Sequence, residues 1–402
     1  MPEMIFSKRF AAGEEIFRIG DRGRNAYIIE RGKVEVSVTR DGENVVIATL
    51  GEGEIFGEMS MIDDAPRSAT VTATADTEVV VIQRSRFQKP LTSADPLMNL
   101  LLRVVLMRFR EAQRQLAGMT AVAGEMDPSL EEIHGLALHR IKLEKDMRQG
   151  IEADDFEMHY QPIVQLDSGR IAGFEALMRW RKKDGGYVSP VEFIPLAEDT
   201  GLIIELGRWA LRVALRDQRR FADCAGAVFA ALPPPFISVN VSGVQLSELA
   251  EIDLLAGIIE RSGVDPTVVK LELTETLLVE DPDHAVEALN RLKGLGVSIA
   301  IDDFGTGYSS LSYLHQYPLD TLKIDRAFVS NMDKSESSRR IVTSVAHLAL
   351  ALEMDIVAEG IEEKTQFEAL REMGCQYGQG YYMAKPTTAE KTVELIESRP
   401  SW

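Results

Sequence analysis

The sequence predicts two unlike domains in one multidomain chain: an all-β jelly roll with a carboxyl-terminal helix, then a (β/α)8 barrel of the TIM type. Three observations carry that expectation. Over residues 1–118, short β-branched runs are separated by Gly and Asp turns, which is the spacing of an antiparallel sandwich or jelly roll. Over residues 136–402, apolar strand-like runs alternate with helical patterns, and the 267 residues available are close to the roughly 250 of such a barrel. Between them, residues 119–135 mix Gly, small residues, Pro128 and acids without a strong period and read as a linker.

Composition narrows the function. Of 402 residues, 45% are hydrophobic and 27% charged, as expected of a soluble globular protein. The net charge is −19, and residues 1–118 hold 16 Lys plus Arg against 17 Asp plus Glu, so nearly all of the excess lies in the barrel segment. That sign argues against a DNA partner. An acidic segment that acts on an anionic substrate needs divalent metal to invert the local field. Cys224 and Cys375 stand far apart, in no disulfide or zinc pattern, so the reducing cytoplasm is the expected location. The amino terminus lacks an apolar signal segment, and the run Leu97 to Phe109 is interrupted by Arg103 and Arg108, so no membrane span is expected.

In the first segment the runs AYIIE, KVEVSVT, NVVIATL, ATVTAT and EVVVI read as strands, with turns at Gly20-Asp21, Gly32, Asp41-Gly42 and Gly51 to Gly53. Asp95 can cap a helix with Pro96 at its first position. Leu97, Leu101, Val104 and Leu116 then lie along one side, more apolar than a monomer surface tolerates, which predicts a homodimer packed through this helix, the barrel or both. The stretch FGEMSMIDDAPRSATV, Phe56 to Val71, places Gly57 beside Glu58 and follows with Arg67 and Ser68. Backbone amides with one guanidinium suit a phosphate, and a carboxylate suits a ribose hydroxyl.

These residues, with the upstream pattern FAAGEEIFRIGDRGRNAYIIERGKVEV, resemble the cyclic-nucleotide-binding domains of catabolite activator proteins and cyclic-nucleotide-dependent kinases. The resemblance implies that Glu58 binds the ribose 2′-hydroxyl and Arg67 the cyclic phosphate, helped by the amides of Gly57 and Glu58. Ser68 is compatible with cAMP or cGMP. No helix-turn-helix follows, which argues against a transcription factor.

In the second segment the strand-like runs end in polar residues: Glu175, Asn240, Glu272, Asp302 with Asp303, Lys323, Glu359 and Gln379, with gaps from Asn240 of 32, 30, 21, 36 and 20 residues. Barrel enzymes place their chemistry at the carboxyl ends of strands, so these groups converge on one mouth. A ring of carboxylates repels itself unless cations sit among them. Oxygen donors without His or Cys select magnesium or manganese. Adjacent Asp302 and Asp303 let one carboxylate bridge two ions about 3.5–4 Å apart, as two-metal phosphodiester hydrolysis requires. Lys323 adds a positive charge able to hold a water or an attacked phosphate.

The motifs YQPIV at 160, EALMRW at 175, FIPLAEDTGLI at 193, NVSGVQL at 240, LELTET at 271, DDFGTGYSSL at 302, KIDR at 323, AEGIE at 358 and QGYYMAKP at 379 resemble the EAL-domain phosphodiesterases. That resemblance implies hydrolysis of cyclic di-GMP to linear pGpG. Glu175, Asn240, Glu272 and Asp302 would hold one metal, while Asp302, Asp303 and Glu359 would serve the second or its water. Lys323 would orient or help deprotonate that water, with Gln379 and Glu362 supporting. Gln161, Arg179 and Asp325 would contact substrate, and Glu275 would anchor the loop after Asp303. The two resemblances together imply a phosphodiesterase switched, in the activating sense, by cAMP or cGMP. The competing expectation is a barrel that holds cyclic di-GMP without cutting it and signals through a partner.

Overall fold

The computed structural model describes residues 6–23, 25–40, 43–62, 66–83, 101–102, 104–105, 108, 128–182, 185–229, 232–274, 282–305 and 316–402. They form two compact units, Met1–Leu143 and Glu144–Trp402. Among the described residues no helix is long and apolar enough to cross a membrane.

The first unit is built from β1 (Phe6–Phe10), β2 (Glu15–Phe17), β3 (Asn25–Arg31), β4 (Val34–Arg40), β5 (Glu43–Leu50), β6 (Ile55–Phe56), β7 (Thr70–Ala73) and β8 (Thr77–Gln83). They make two antiparallel sheets, β1-β8-β3-β6 and β2-β7-β4-β5, so all five runs read as strands are strands. Period-two alternation decides which side chains enter the core. On β8 Thr77, Val79 and Val81 are buried, and Phe10, Ile29, Val34, Phe56 and Val71 meet Val79 between the sheets. The β3–β4 turn requires glycine at Gly32, whose φ is +101° and where a Cβ would lie 2.5 Å from Thr77 Oγ1. Most of the helix expected over 97–116 lies outside the described residues. Leu101, Leu102, Val104, Val105 and Arg108 within it are helical.

A helix, Pro128–Glu152, precedes the barrel strands β9 (Phe156–Gln165), β10 (Arg170–Arg181), β12 (Phe236–Asn240), β13 (Val269–Thr274), β14 (Ser298–Phe304), β15 (Thr321–Ile324), β16 (Asp355–Ala358) and β17 (Tyr377–Gly378), with β11 (Tyr187–Val188) and β18 (Thr387–Thr388) appended. From β10 through β17 each barrel strand pairs parallel to the next. β9 closes the ring antiparallel to both β10 and β17. Seven strands thus follow the parallel barrel rule and the first does not. The link from Gln165 to Arg170 is too short for a crossover helix and makes a hairpin instead.

Helices cover the outside, so the parallel strands are buried on both faces and apolar almost throughout. The helix Leu202–Val228 buries Leu206, Ala210, Leu211, Ala214, Leu215 and Phe221, a stripe at helical spacing. It also buries one carboxylate. Asp217, 2% exposed, accepts from the Tyr160 hydroxyl at 2.7 Å and pairs with Arg216 at 3.0 Å and Arg220 at 3.6 Å. Tyr160→Phe leaves that buried acceptor one bond short. We expect it to destabilise the barrel by about 1–3 kcal/mol in urea unfolding, and an unchanged midpoint would contradict the assignment.

Candidate functional site

Alternation along each barrel strand sends one set of side chains outward to the helices and the other into the barrel. On β13 Leu271 and Leu273 join the apolar core, while Glu272 faces inward. On β15 Leu322 and Ile324 do the same, leaving Lys323 inside. Glu175 on β10 stands opposite Ser238 of β12 and Gln161 of β9, and Asn240 ends β12 opposite Glu272. Glu359 and Gln379 directly follow β16 and β17, their amides bonded to Ile324 O at 3.0 Å and Ala358 O at 2.9 Å.

Lys323 is the centre. Its ammonium, 1% exposed, lies 2.6 Å from Glu272 Oε2, 2.6 Å from Glu359 Oε1, 3.1 Å from Asp302 Oδ1 and 3.7 Å from Glu175 Oε2. Asn240 Nδ2 donates to Glu175 Oε1 at 2.9 Å. Gln379 Nε2 donates to Glu175 Oε2 at 2.6 Å and to Gln161 Oε1 at 2.9 Å, and Gln161 Nε2 donates onward to Ala384 O at 3.1 Å. The Ser238 hydroxyl donates to Glu272 Oε1. Ser238 is absent from the set expected from the sequence, although it stands two residues before Asn240 on one strand face.

The acid pair sits where strand geometry breaks. The β14–β15 register shifts between Ile301 and Phe304, a bulge of the kind that re-aims side chains next to active sites. Asp303 adopts φ +54°, the left-handed region that Asp enters more readily than most residues, and its amide donates to Asp302 Oδ1 at 2.9 Å. Carboxylate oxygens of Asp302, Asp303 and Glu359 lie within 4.8 Å of one another.

Electrostatics follow from crowding. Burial by itself would push the Lys323 ammonium down, but Asp302, Glu175, Glu272 and Glu359 together hold it well above its ordinary value. Burial pushes the Glu272 carboxyl up to about 8, with Lys323 pulling down and Glu175 and Asp302 pushing further up. Burial, then Asp302 and a hydrogen bond with Asp325, raise Asp303 to about 6. Glu359 is likewise raised well above the usual carboxylate range, by burial against the pull of Lys323. One ammonium therefore faces five carboxylates, and the site is short of positive charge. Its donors are oxygens throughout, and buried Gln379 Oε1 has no hydrogen-bond partner. A hard divalent cation with its hydration shell fits this set.

Other residues are placed less centrally. Arg179 is half-buried and donates to Met178 O at 2.9 Å. Burial pushes its guanidinium down, Glu175 opposing. Asp325 caps the short helix Arg326–Val329 by accepting from the Ala327 amide at 2.7 Å. Glu362 is exposed, with its amide rather than its carboxylate engaged, at 2.8 Å from Gln366 Oε1. Glu275 and residues 306–315 lie outside the described residues.

The first unit holds a cavity of about 240 Å³ lined by Gly57, Glu58, Ser60, Arg67 and Ser68 together with apolar residues such as Phe17 and Val36. Arg67, 5% exposed, donates at 2.7 Å to each of Gly57 O, Ser60 Oγ and Asn25 O and lies 4.0 Å above the Phe17 ring. Gly57 has φ +77°, and a Cβ there would stand 2.6 Å from Arg67 Nη1, so glycine is what admits the guanidinium. Ser68 Oγ lies 3.8 Å from Met59 Sδ.

Both units match known families. The family model for the EAL domain matches residues 144–386, and that for the cyclic nucleotide-binding domain matches residues 7–93. The solved structure of EAL enzyme Bd1971 in its cAMP- and cyclic-di-GMP-bound form is 36% identical, covers 97% of this chain and 100% of its own, and superposes with a TM-score of 0.69. The bifunctional diguanylate cyclase/cyclic di-GMP phosphodiesterase MucR of Pseudomonas aeruginosa is 38% identical over 260 residues, 65% of this chain and 37% of that protein. The cyclic di-GMP phosphodiesterase NbdA of the same organism is 38% identical over 262 residues, 65% of this chain and 33% of that protein. The chain spans about a third of the length of the curated relatives it matches.

The raised carboxyls give the stability a definite sign. Asp303 and Glu272 titrate at about 6 and about 8 in the folded state against ordinary values of 3.8 and 4.5. Folding therefore takes up protons between those limits, and stability is greatest below the ordinary values and falls as pH rises through the window. Metal-free protein should lose thermal stability from about pH 4 to 8, and saturating Mg²⁺ should flatten that slope. A metal-free profile that rises across the window would contradict the geometry.

Proposed function

The chain belongs to the EAL-domain family and carries a cyclic nucleotide-binding domain ahead of the barrel; from that premise we propose that it hydrolyses cyclic di-GMP to linear pGpG under the control of a cyclic mononucleotide. The observation that carries the reading is the Lys323 cluster. Four carboxylates meet one ammonium at 2.6 to 3.7 Å at one barrel mouth, with Asn240 and Asp303 beside them. The named activities of MucR and NbdA support the substrate class.

In this reading Glu175, Asn240, Glu272 and Asp302 would hold one divalent cation, Mg²⁺ or Mn²⁺, and Asp302, Asp303 and Glu359 would serve a second or its water. When bound, such cations would supply charge neutralisation at the attacked phosphodiester and lower the pKa of a water. Lys323 orients the attacking water, and Glu359 accepts its proton. A bond forms from the water oxygen to phosphorus, the bond from phosphorus to the ribose 3′-oxygen breaks, and that oxygen takes up a proton from solvent and leaves as a hydroxyl. Arg179 and Gln161, near Glu175, meet the substrate's phosphate and guanine. Asp325 stands beside Asp303 and shares a hydrogen bond with it while one of the two carboxyls carries a proton.

In the first unit Arg67 takes the cyclic phosphate and Glu58 the ribose 2′-hydroxyl. Arg67 must then exchange part of its present set of carbonyl partners for phosphate, a change of contacts by which a ligand can favour one state over another. Bd1971 has been solved with cAMP and with cGMP, and both are candidates here. pGpG formation from cyclic di-GMP should rise with one of the two nucleotides. It should lose that response in Arg67→Ala and fall at least about a hundredfold in Asp302→Ala. No turnover in the parent protein would leave a barrel that only binds, and equal rates with and without nucleotide would remove the switch.

A further inference from the structure

The barrel segment is acidic overall, yet one hollow on its flank is lined by arginines. Arg212, Arg216, Arg219 and Arg220 lie at i, i+4, i+7 and i+8 on the helix Leu202–Val228, one face of that helix. Arg261 joins them from the end of the helix Leu249–Ser262, around a hollow of about 510 Å³. Part of this charge is answered. Arg216 and Arg220 pair with buried Asp217, Arg220 also lies 3.6 Å from Glu390, and Asp223 is in the lining. Arg212, Arg219 and Arg261 form no ion pair among the described residues, Arg219 reaching only Ser262 O at 3.5 Å. Counting every one of these carboxylates against the five guanidiniums leaves a surplus of two positive charges.

Stacked arginines repel one another along a helix, so the arrangement is stable when an anion answers it. Guanidinium forks match phosphate oxygens bidentately, and the volume lies in the range of small-ligand sites. The surrounding charge decides the size of the ligand. A polynucleotide or an anionic bilayer extends beyond the Debye length of about 10 Å and meets the acidic remainder of the barrel, whereas a compact anion stays within reach of the arginines alone. We propose that this hollow is a binding site for a compact ligand carrying two phosphate groups, separate from the barrel mouth and from the nucleotide cavity. Asp217, the carboxylate shared by Arg216 and Arg220, accepts from Tyr160, the residue before Gln161 on β9.

The test is calorimetric titration of inorganic pyrophosphate into the full chain in metal-free buffer at about 0.1 M ionic strength. Arg212→Gln/Arg219→Gln should weaken binding at least tenfold, and Arg261→Gln, from the other helix, should weaken it in the same direction. The double variant should keep its rate of cyclic di-GMP hydrolysis. Arg67→Ala and Lys323→Met, which disable the other two anion-directed sites, should leave the pyrophosphate Kd within twofold. Absence of binding at millimolar pyrophosphate, equal affinity in the double variant, or a loss confined to Arg67→Ala or Lys323→Met would overturn the proposal. So would tighter binding of a single-stranded oligonucleotide or of anionic vesicles than of pyrophosphate.

Discussion

An ammonium buried among carboxylates is the constraint on which the barrel turns. Lys323 touches acids on or beside β10, β13, β14 and β16 from its place on β15, so a single side chain ties five staves of the barrel at their mouth. Removing one partner from a buried ion pair costs about 3–5 kcal/mol because the other charge is stranded. Here several would be stranded at once. The same contacts leave the cluster short of positive charge: one ammonium cannot answer five carboxylates, and burial with their mutual repulsion raises Glu272 and Glu359 above the usual carboxylate range.

Around that centre the chain uses ordinary structural devices for chemical ends. A bulge in β14 aims Asp302 and Asp303 into the mouth, and a helix cap, Asp325, fixes Asp303 from the next strand. Gln379, Gln161 and Asn240 immobilise Glu175 through their amides. In the first unit glycine at position 57 does comparable work, opening the space into which Arg67 folds. Both sites thus hold a charged side chain with its partners already in place, and under the proposed function a ligand at either would exchange partners rather than capture a free group.

The acids at successive strand ends were legible in the residues because strand period and residue type coincide there: an inward charge among outward Leu and Ile is costly to bury, and a fold keeps it where chemistry needs it. The jelly-roll strands were legible through the same periodicity. The direction of β9 was not, since YQPIV reads alike in either direction and only the length of the link after Gln165 decides it. Nor could residue type alone show that Ser238 donates to Glu272, that Asp325 spends its carboxylate on a cap and on Asp303, or that Glu362 faces solvent. The arginine spacing 212, 216, 219, 220 stands in the sequence, but its meeting with Arg261 depends on how two helices lie side by side.

Whether this mouth takes divalent cations is decided by titrating Mg²⁺ into the metal-free protein near pH 7 in buffers of different ionisation enthalpy. Two ions should bind per chain, with heat that varies with the buffer, because the Glu272 carboxyl, raised to about 8, gives up its proton as metal enters. Binding without proton release, or no binding at millimolar Mg²⁺, would contradict it.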